Sequence, residues 1–498
     1  MIGKLFTQLK IFFVIMLSII EIASGIFPGI ARQNKYVDEL TKQKIVEFEP
    51  QLNSTFPKTD SSAHGPLRFY IMTDLHLWPN EFGYTDHRDQ IILRDSVKII
   101  TATFDRIKQD PDIDIVLISG DLAEFWGNRV SHEQLRGLID DYLVASGKEL
   151  YIIPASHDYN DGQGMTREFV NQWYRDYIAP EKIVSICPGE YSYVTQIAPG
   201  YRLMSFVIDD GYTENTLAWA ENQIATARES GEYIFAMQHY PFLSPSPIYP
   251  IMGGSSFDSA ITDRLADAGL EFVFTGHSHM HQINYRVTSA GNTVYDISTA
   301  SLIGYPQVWR KVTLRNDKME IETLQLTEQE LLDAGVPLGG MTNDEYFKAY
   351  FYIMLDQLFY GMAYDIELAI NHEFGIPRDI AEQYGFIINF VGKLLYEKNI
   401  GDLAGLFLFS HFLGDETKNV GIKDAILEVI YHVFYGNEPY YPDTGLYKAF
   451  AFLIERVKPI VNLIDSSGNI SSLLDMIRDE LLYDTGPNDW NTELSRQN

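Results

Sequence analysis

Short apolar runs alternate with amphipathic stretches from residue 67 to about residue 326. The apolar runs have the length of strands, and they read RFYIMT, DIVLIS, LYIIP, RLMSFVI, YIFAM and EFVFT. Between them lie segments whose apolar residues recur every three or four positions, such as RDSVKIITATFDRIKQD and TLAWAENQIATARESG. Because strand and helix patterns alternate, the sequence predicts an α/β domain over residues 67–326.

The pattern changes after residue 326, where strand signals become rare and Tyr, Phe and Leu become frequent. Two capping-box patterns, TEQE from Thr327 and TNDE from Thr342, each open an apolar-periodic segment. The aromatic segment 345–364 predicts a packed helix, because Lys348 and Asp356 interrupt it and argue against insertion into lipid. We therefore predict a helical C-terminal domain over residues 327–498.

The N-terminus has the basic, apolar and small residues of a secretory signal, in that order. Lys4 and Lys10 precede the apolar run Ile11–Ile20, and the small residues 23–25 follow. We predict a signal peptide over residues 1–25 and a secreted protein; the alternative is an uncleaved signal anchor that tethers the protein to a membrane. The run is shorter than the about 20 apolar residues of a membrane span. Residues 26–66 lack sustained periodicity and are predicted to be a linker.

Composition narrows the classes of function. Of 498 residues, 46% are hydrophobic and 21% are charged, which is typical of a globular protein. The formal net charge of −30 would repel nucleic acids and anionic lipids, so we expect no nucleic-acid binding. An acidic protein that acts on phosphates would need local positive charge, and metal ions can supply it. Cys187 is the only cysteine, which excludes an intramolecular disulfide.

Ionisable side chains follow nearly every predicted strand. In chain order they are Asp74 and His76, Asp121, His157 and Asp158, Asp209 and Asp210, His239, and His277 and His279. In open α/β sheets, functional sites form at the C-terminal edge of the strands. Side chains two apart in extended backbone point to the same side, so the Asp-x-His and His-x-His pairs are each predicted to face one ion.

The order of these motifs resembles that of the calcineurin-like metallophosphoesterase superfamily. The motifs are Asp74-x-His76, Gly120-Asp121, Ser156-His157-Asp158, His239 and Gly276-His277-Ser278-His279. The resemblance covers residues 67–326 and does not extend to the helical region that follows. It implies two mixed β-sheets packed together with helices on both outer faces, which gives four layers.

The resemblance also implies two adjacent metal ions, divalent or of mixed valence, with Mn, Fe or Zn expected. The first ion would be held by Asp74, His76 and His279. The second would be held by His239 and His277, and Asp121 would bridge the two ions.

Other residues near the motifs are expected to assist. By resemblance, His157 faces the scissile phosphate and helps the leaving oxygen to depart, and Asp158 fits the motif beside it. Glu124 is either a carboxylate that orients His157 or a surface residue. His281 is expected on the surface or in a supporting role rather than as a ligand.

Ser156 departs from the family's pattern, in which this position is normally an asparagine that binds the second metal. A serine hydroxyl is also a neutral ligand, but its arm is shorter. It could coordinate directly, act through a water or not coordinate at all, and Asn160 is a nearby substitute.

The sequence therefore predicts a secreted or surface-tethered phosphoesterase with two metal ions. The resemblance implies that a metal-bridging hydroxide attacks a phosphomonoester or phosphodiester, and nucleotides are among the expected small substrates. One alternative is a catalytically impaired binding protein on the same fold, with Ser156 as the first lost ligand. Another is an interaction protein whose helical region binds a partner. Retention of the other ligands together with His157 favours the enzyme.

Overall fold

The fold is built on two mixed β-sheets packed face to face. The structure, a computed structural model, describes residues 30–42, 65–79, 92–249, 259–372, 378–464 and 469–496. The predicted signal segment 1–25 lies outside the described residues, as does most of the predicted linker.

The strands are β1 (Leu67–Met72), β2 (Ile115–Ser119), β3 (Glu149–Ile153), β4 (Ile183–Ile186), β5 (Tyr193–Ala198), β6 (Tyr201–Ser205), β7 (Tyr233–Met237), β8 (Phe272–Thr275), β9 (Gln282–Val287), β10 (Thr293–Ser298), β11 (Trp309–Leu314), β12 (Lys318–Leu324) and β13 (Asn491–Ser495). The helices are α1 (Ile30–Leu40), α2 (Ser96–Gln109), α3 (Glu124–Gly127), α4 (Arg129–Leu138), α5 (Arg167–Arg175), α6 (Glu214–Glu229), α7 (Ser259–Ala268), α8 (Glu328–Asp333), α9 (Asn343–Tyr364), α10 (Ile366–Asn371), α11 (Arg378–Glu397), α12 (Ile400–Leu406), α13 (Asp415–Lys418), α14 (Ile422–Tyr435), α15 (Gly445–Ile464) and α16 (Asn469–Met476).

Each sheet contains a block of adjacent parallel strands. The first sheet has the order β13-β12-β11-β1-β2-β3, and β1, β2 and β3 run parallel. The second has the order β4-β5-β6-β7-β8-β10-β9, and β6, β7, β8 and β10 run parallel. The C-terminal ends of parallel strands share one edge, so residues that follow β1, β2 and β3 lie side by side.

The inner faces of the two sheets form one apolar core. Alternate residues of β1 point to opposite faces, so Phe69 and Ile71 lie between the sheets, whereas Tyr70 and Met72 face the helices. The Phe69 ring stacks on Phe235 of the second sheet at a centroid distance of 5.4 Å. Helices α6 and α7 cover the outer face of the second sheet. The predicted four-layer arrangement is confirmed.

Each of the six predicted strands corresponds to a strand of the structure, but strands β4, β5 and β9–β13 were not predicted. Both capping boxes form, with the side chains of Thr327 and Thr342 capping helices α8 and α9. The aromatic segment is the packed helix α9, which buries Phe347 and Phe351. No helix of the described residues is long and apolar enough to cross a membrane.

The C-terminal region is helical, as predicted, but it does not form a core of its own. One cluster of buried apolar side chains extends from β1 and α2 into helices α9, α11, α14 and α15. Strand β13 then returns to the first sheet and pairs antiparallel with β12. The sequence did not indicate this strand, because an edge strand of five residues with polar side chains resembles a loop.

Helix α1 lies within the segment that the sequence predicted to be a linker. It packs on α15, where Arg456 donates hydrogen bonds to Gln33 and Asn34. Val37 of α1 is fully buried in the shared core. The N-terminal part of the chain is thereby attached to the C-terminal helices.

Strand β13 should contribute measurably to stability through Leu494, which is 1% exposed and lies opposite Met319. We expect Leu494→Ala to lower the free energy of unfolding by about 2–5 kcal/mol, because it removes a buried side chain and leaves a void. Urea denaturation followed by tryptophan fluorescence would measure the change. The control is Glu493→Ala next to it, which removes an exposed ion pair and should cost less than about 1 kcal/mol. Equal effects of the two substitutions would contradict the placement of β13.

Candidate metal centre

The ends of five strands from both sheets bring six predicted ligands and His157 to one place. Asp74 and His76 follow β1, Asp121 follows β2 and His157 follows β3 in the first sheet. In the second sheet, His239 follows β7, and His277 and His279 follow β8. Their ligand atoms form three overlapping groups in which all atoms lie within 4.8 Å of one another. These groups are Asp74–His76–His279, Asp121–His239–His277 and His76–Asp121–His157.

Five of these residues have a backbone conformation that non-glycine residues seldom adopt. The φ angles are 51° for Asp74, 40° for His76, 46° for Asp121, 65° for His277 and 56° for His279. Elsewhere in the described chain, Leu408 and Asn437 are the other non-glycine residues with positive φ. Such strain concentrates at functional sites, where surrounding structure enforces it.

This geometry corrects the reasoning from extended backbone. His277 and His279 do not face the same group: His279 joins Asp74 and His76, whereas His277 joins Asp121 and His239. Left-handed turns at the strand ends, rather than the alternation of an extended strand, decide where these side chains point.

Asp74 lies at the centre of the first group. Its Oδ2 accepts hydrogen bonds from the Thr73 hydroxyl at 2.7 Å and the His277 amide at 2.9 Å. Its Oδ1 is buried and has no hydrogen-bond partner among the described residues. Oδ1 faces Nε2 of His279 at 3.3 Å and Nε2 of His76 at 3.6 Å. The unpartnered oxygen and the two ring nitrogens therefore converge on one point.

Asp121 lies between the two groups. Its Oδ2 is 3.1 Å from Nε2 of His239 and 3.9 Å from Nε2 of His76. Nδ1 of His277 lies 3.2 Å from Nε2 of His239 and completes the second group. Asp121 is thus the carboxylate with an oxygen near both groups, and its bridging role stays a prediction.

Hydrogen bonds at the far sides of two imidazole rings direct their other nitrogens into the centre. Nδ1 of His239 donates to the Ser119 carbonyl at 2.9 Å, and Nδ1 of His76 lies 2.7 Å from Glu124 Oε2. Each ring then presents the lone pair of Nε2, which is the form that binds a metal.

The charges of the centre favour a bound cation. Burial opposes protonation of His239, but the carboxylates of Asp121 and Asp74 outweigh it and raise the pKa of His239 to about 9. Burial lowers the pKa of His277 to about 3, so that this ring is neutral and able to coordinate. The negative charge that attracts a proton to His239 would attract a metal ion equally. Two carboxylates and four imidazoles are a donor set that suits Mn, Fe or Zn, so these residues fit the predicted metals.

Glu124 connects the metal ligands to His157. It is buried, which excludes the surface alternative, and its Oε2 lies 3.5 Å from Nδ1 of His157 as well as 2.7 Å from His76. The side chain of His157 is 20% exposed, whereas that of His76 is 3% exposed. The buried Glu124 carboxylate therefore lies next to Nδ1 of His157, while part of the ring is accessible from solvent. A group that contacts a substrate needs such access.

Asp158 holds two of the strand ends together. Its Oδ1 accepts the amides of Leu122 and Ala123 at 2.9 and 3.0 Å, and its Oδ2 accepts the amide of Ala155 at 2.8 Å. Because Leu122 follows Asp121 directly, this buried carboxylate fixes the position of the bridging ligand. Asp158 supports the centre without contacting its ligand atoms.

Ser156 lies near Tyr240, a residue beside the second group that the sequence analysis did not single out. Burial raises the pKa of Tyr240 to about 12, and a hydrogen bond from Ser156 opposes the rise. The Tyr240 ring packs on His277 at a centroid distance of 4.4 Å. Asn160 is tied through its backbone to Met165. The sequence signal for Tyr240 is only its position directly after His239.

The sequence analysis also did not single out Arg167, which begins helix α5 nine residues after Asp158 and belongs to no motif. Its guanidinium is 3.0 Å from Asp209 and 2.6 Å from Asp210 at the end of the segment that follows β6. Burial raises the pKa of Asp209, and the charges of Arg167 and His239 oppose this. Arg167 therefore places a positive charge near the centre.

His281 was expected on the surface or in a supporting role. It is fully buried, and its ring lies within hydrogen-bonding distance of Thr323 and Arg310. The surface placement is wrong, because the returning C-terminal segment covers this position with Trp490.

Residues 67–281 match the family model described as calcineurin-like phosphoesterase, so the chain carries a domain of that kind. Among solved structures, a dimetal phosphatase from Danio rerio is 13% identical and covers 52% of this chain and 95% of its own, with a TM-score of 0.38. Purple acid phosphatase PPD1 from yellow lupin (Lupinus luteus) seeds is 13% identical and covers 54% of this chain and 52% of its own, with a TM-score of 0.40. No curated protein matches the chain in sequence.

Gly276 should be required for the centre. A Cβ atom there would lie 2.1 Å from the Thr73 hydroxyl and 2.6 Å from Asp74 Oδ2. We expect Gly276→Ala to displace Asp74 and weaken metal binding at least tenfold, as measured by titration with Mn²⁺ and a count of bound metal. The control is Gly137→Ala on helix α4, where a Cβ meets no atom within 4 Å. Unchanged metal binding in Gly276→Ala would contradict the geometry of the first group.

Proposed function

We propose that this protein is a metal-dependent phosphoesterase that hydrolyses phosphomonoesters or phosphodiesters of small molecules, nucleotides included. The observation that carries the proposal is the convergence of the six predicted ligands, five of them in strained left-handed backbone, within a calcineurin-like phosphoesterase domain. Random packing would not enforce so many strained conformations around one point.

The chain's own residues divide the work between holding metal and handling the substrate. Asp74, His76 and His279 would hold one cation, His239 and His277 a second, and Asp121 both. When bound, two such cations supply a nucleophile at neutral pH and neutralise charge on the phosphoryl oxygens.

His157 would act on the leaving group. With its Nδ1 toward Glu124 and its ring partly exposed, it can present Nε2–H to the leaving oxygen and donate a proton. Glu124 would hold the ring in that orientation through Nδ1. Asp158 keeps His157 and Asp121 in register, because its carboxylate joins the two loops that carry them.

A second candidate is a binding protein that has lost most of its catalytic power. The observation in its favour is the serine at position 156, which lies near the Tyr240 hydroxyl and has a shorter arm than the asparagine of the family's pattern. The two proposals differ in whether the second metal is bound tightly enough for turnover.

We also propose that the protein is exported, or tethered by an uncleaved N-terminal segment, because residues 1–25 have the order of a secretory signal. The mass of the mature chain would distinguish the two, since cleavage near residue 25 removes the apolar run.

Substitution of Asp121 tests the proposed function most directly. We expect Asp121→Ala to abolish hydrolysis of aryl phosphate monoesters and diesters, because it removes the carboxylate that reaches both groups of ligands. The control is Asp112→Ala, which changes an exposed aspartate ahead of β2. Bound metal and initial rates should be measured on both proteins. Full activity with two retained metals in Asp121→Ala would disprove the assignment.

The role of His157 predicts a dependence on the leaving group. We expect His157→Ala to retain bound metal and to lower kcat by about 10²–10⁴-fold for alkyl phosphates, whose leaving groups need a proton. The loss should be much smaller for 4-nitrophenyl esters, whose leaving group is stable as an anion. Equal losses across a series of leaving groups would contradict this role, and loss of metal would identify His157 as a ligand.

Ser156 predicts an unusual metal dependence. We expect Ser156→Asn to tighten the second metal and to lower the metal concentration needed for half-maximal activity, because the longer amide reaches farther. Tyr240→Phe is the control, since it removes the partner hydroxyl and leaves the shorter serine in place. Activity and bound metal should be titrated together in all three proteins. An unchanged or weaker metal dependence in Ser156→Asn would show that the loop has adapted to serine.

A further inference from the structure

The C-terminal helices enclose a cavity of about 180 Å³ that is remote from the metal centre in sequence and lies in the part of the chain outside the family match. Five helices supply its walls: α11, α12, α14, α15 and α16. Every residue that lines it is aliphatic or aromatic, and Leu, Ile and Val predominate.

Such a volume is unusual in a packed protein interior. Core side chains normally interdigitate and leave few voids larger than a water molecule. Water would form no hydrogen bonds with the side chains that line this cavity, because all of them are apolar. Apolar cavities of about 150 Å³ in other proteins stay dry and bind small hydrocarbons. The walls therefore suit an apolar occupant and exclude a nucleotide or a sugar.

The cavity is not sealed from solvent. Leu394, Phe450 and Leu453 line it and are nevertheless only half-buried. An occupant could thus have an apolar part inside and a polar end in water, which is the form of a lipid or fatty acid.

An exposed apolar loop adjoins the cavity. Leu403 and Phe409 line the cavity, and the residues between and beside them expose Leu406, Leu408 and Phe412. Leu408 is 58% exposed and has a φ of 59°, so a strained backbone holds a leucine in solvent. A loop that exposes several apolar side chains marks a contact site for apolar molecules.

The same loop is linked to the N-terminal part of the chain. Arg456 donates to the Phe407 carbonyl at 3.2 Å and also to Gln33 and Asn34 near the start of α1. The apolar run Ile11–Ile20 ends ten residues before Ile30, a distance of at most about 35 Å along the extended chain. If that run meets a membrane, as the predicted anchor would, lipid is within reach of the loop.

We propose that the cavity of the C-terminal helices binds one aliphatic chain, supplied by a membrane lipid or a free fatty acid. The terminal carbons of the chain fill the space between α11, α14 and α15, because a cavity of about 180 Å³ holds no more than a small hydrocarbon. The rest of the chain lies along Leu406, Leu408 and Phe412 of the exposed loop, with its polar end in water. This is a binding activity distinct from the proposed hydrolysis, because it uses none of the residues of the metal centre.

The test is binding of cis-parinaric acid, a fatty acid that fluoresces in apolar surroundings, to the full-length protein. Ala425→Leu and Ala449→Leu each add bulk to the wall of the cavity at a buried position. We expect saturable binding by the unaltered protein, displacement by palmitic acid, and at least tenfold weaker binding by both variants. The matched control is Ala260→Leu, an exposed alanine on helix α7, which should bind as the unaltered protein does.

Two arms distinguish the sources of the chain. Transfer of a parinaroyl phosphatidylcholine from phosphatidylcholine vesicles, reduced in both variants, identifies a membrane lipid. Displacement by palmitic acid without transfer from vesicles identifies a free fatty acid. Circular dichroism confirms that each variant is folded, and Ala425→Val or Ala449→Val, which adds less bulk at the same position, replaces a leucine variant that is not. The proposal is overturned if the unaltered protein shows no saturable binding, or if folded variants bind as tightly as it does.

Discussion

The burial of Asp74 and Asp121 between ring nitrogens is the interaction on which the structure of the centre depends. A buried carboxylate is costly unless cations or donors compensate it. Backbone and hydroxyl donors satisfy one oxygen of Asp74, and the other faces two histidines. The fold therefore stores negative charge at the place where the imidazole nitrogens converge, and a metal ion is what such an arrangement attracts.

The two sheets must approach closely for that charge to be shared. Glycines at two strand ends permit it: a Cβ on Gly120 would lie 2.6 Å from the His239 ring, and one on Gly276 would meet Thr73 and Asp74. Buried carboxylates then connect neighbouring loops: Asp158 accepts the amides of Leu122 and Ala155, and Glu124 contacts His76. The metal ligands are thus positioned by buried polar contacts between loops, and the apolar core between the sheets keeps those loops in register.

The C-terminal helices pack against the calcineurin-like phosphoesterase domain. They share its largest core, they return a strand to its first sheet, and they cover His281, which the motif alone left on the surface. Helix α1 joins the same helices through Arg456. The loop after β8 is thereby packed against the C-terminal region, through the His281 amide on the Phe434 carbonyl and the His281 ring on Trp490.

The sequence by itself determined the chemistry and the framework of this protein. Six apolar runs of strand length, the two capping boxes and the ligand types at the strand ends could be recognised because each depends on neighbours in the chain. The assignment of His277 and His279 to different groups of ligands came from the resemblance. The alternation of side chains in extended backbone predicted instead that both would face one ion. What only the tertiary structure decided is which atoms meet: Ser156 with Tyr240, Glu124 with both His76 and His157, Arg167 with Asp209, and β13 with β12. The reason is physical, since left-handed turns, burial and pairing between residues far apart in the chain depend on the packing of the whole domain and leave no periodic signal in the sequence.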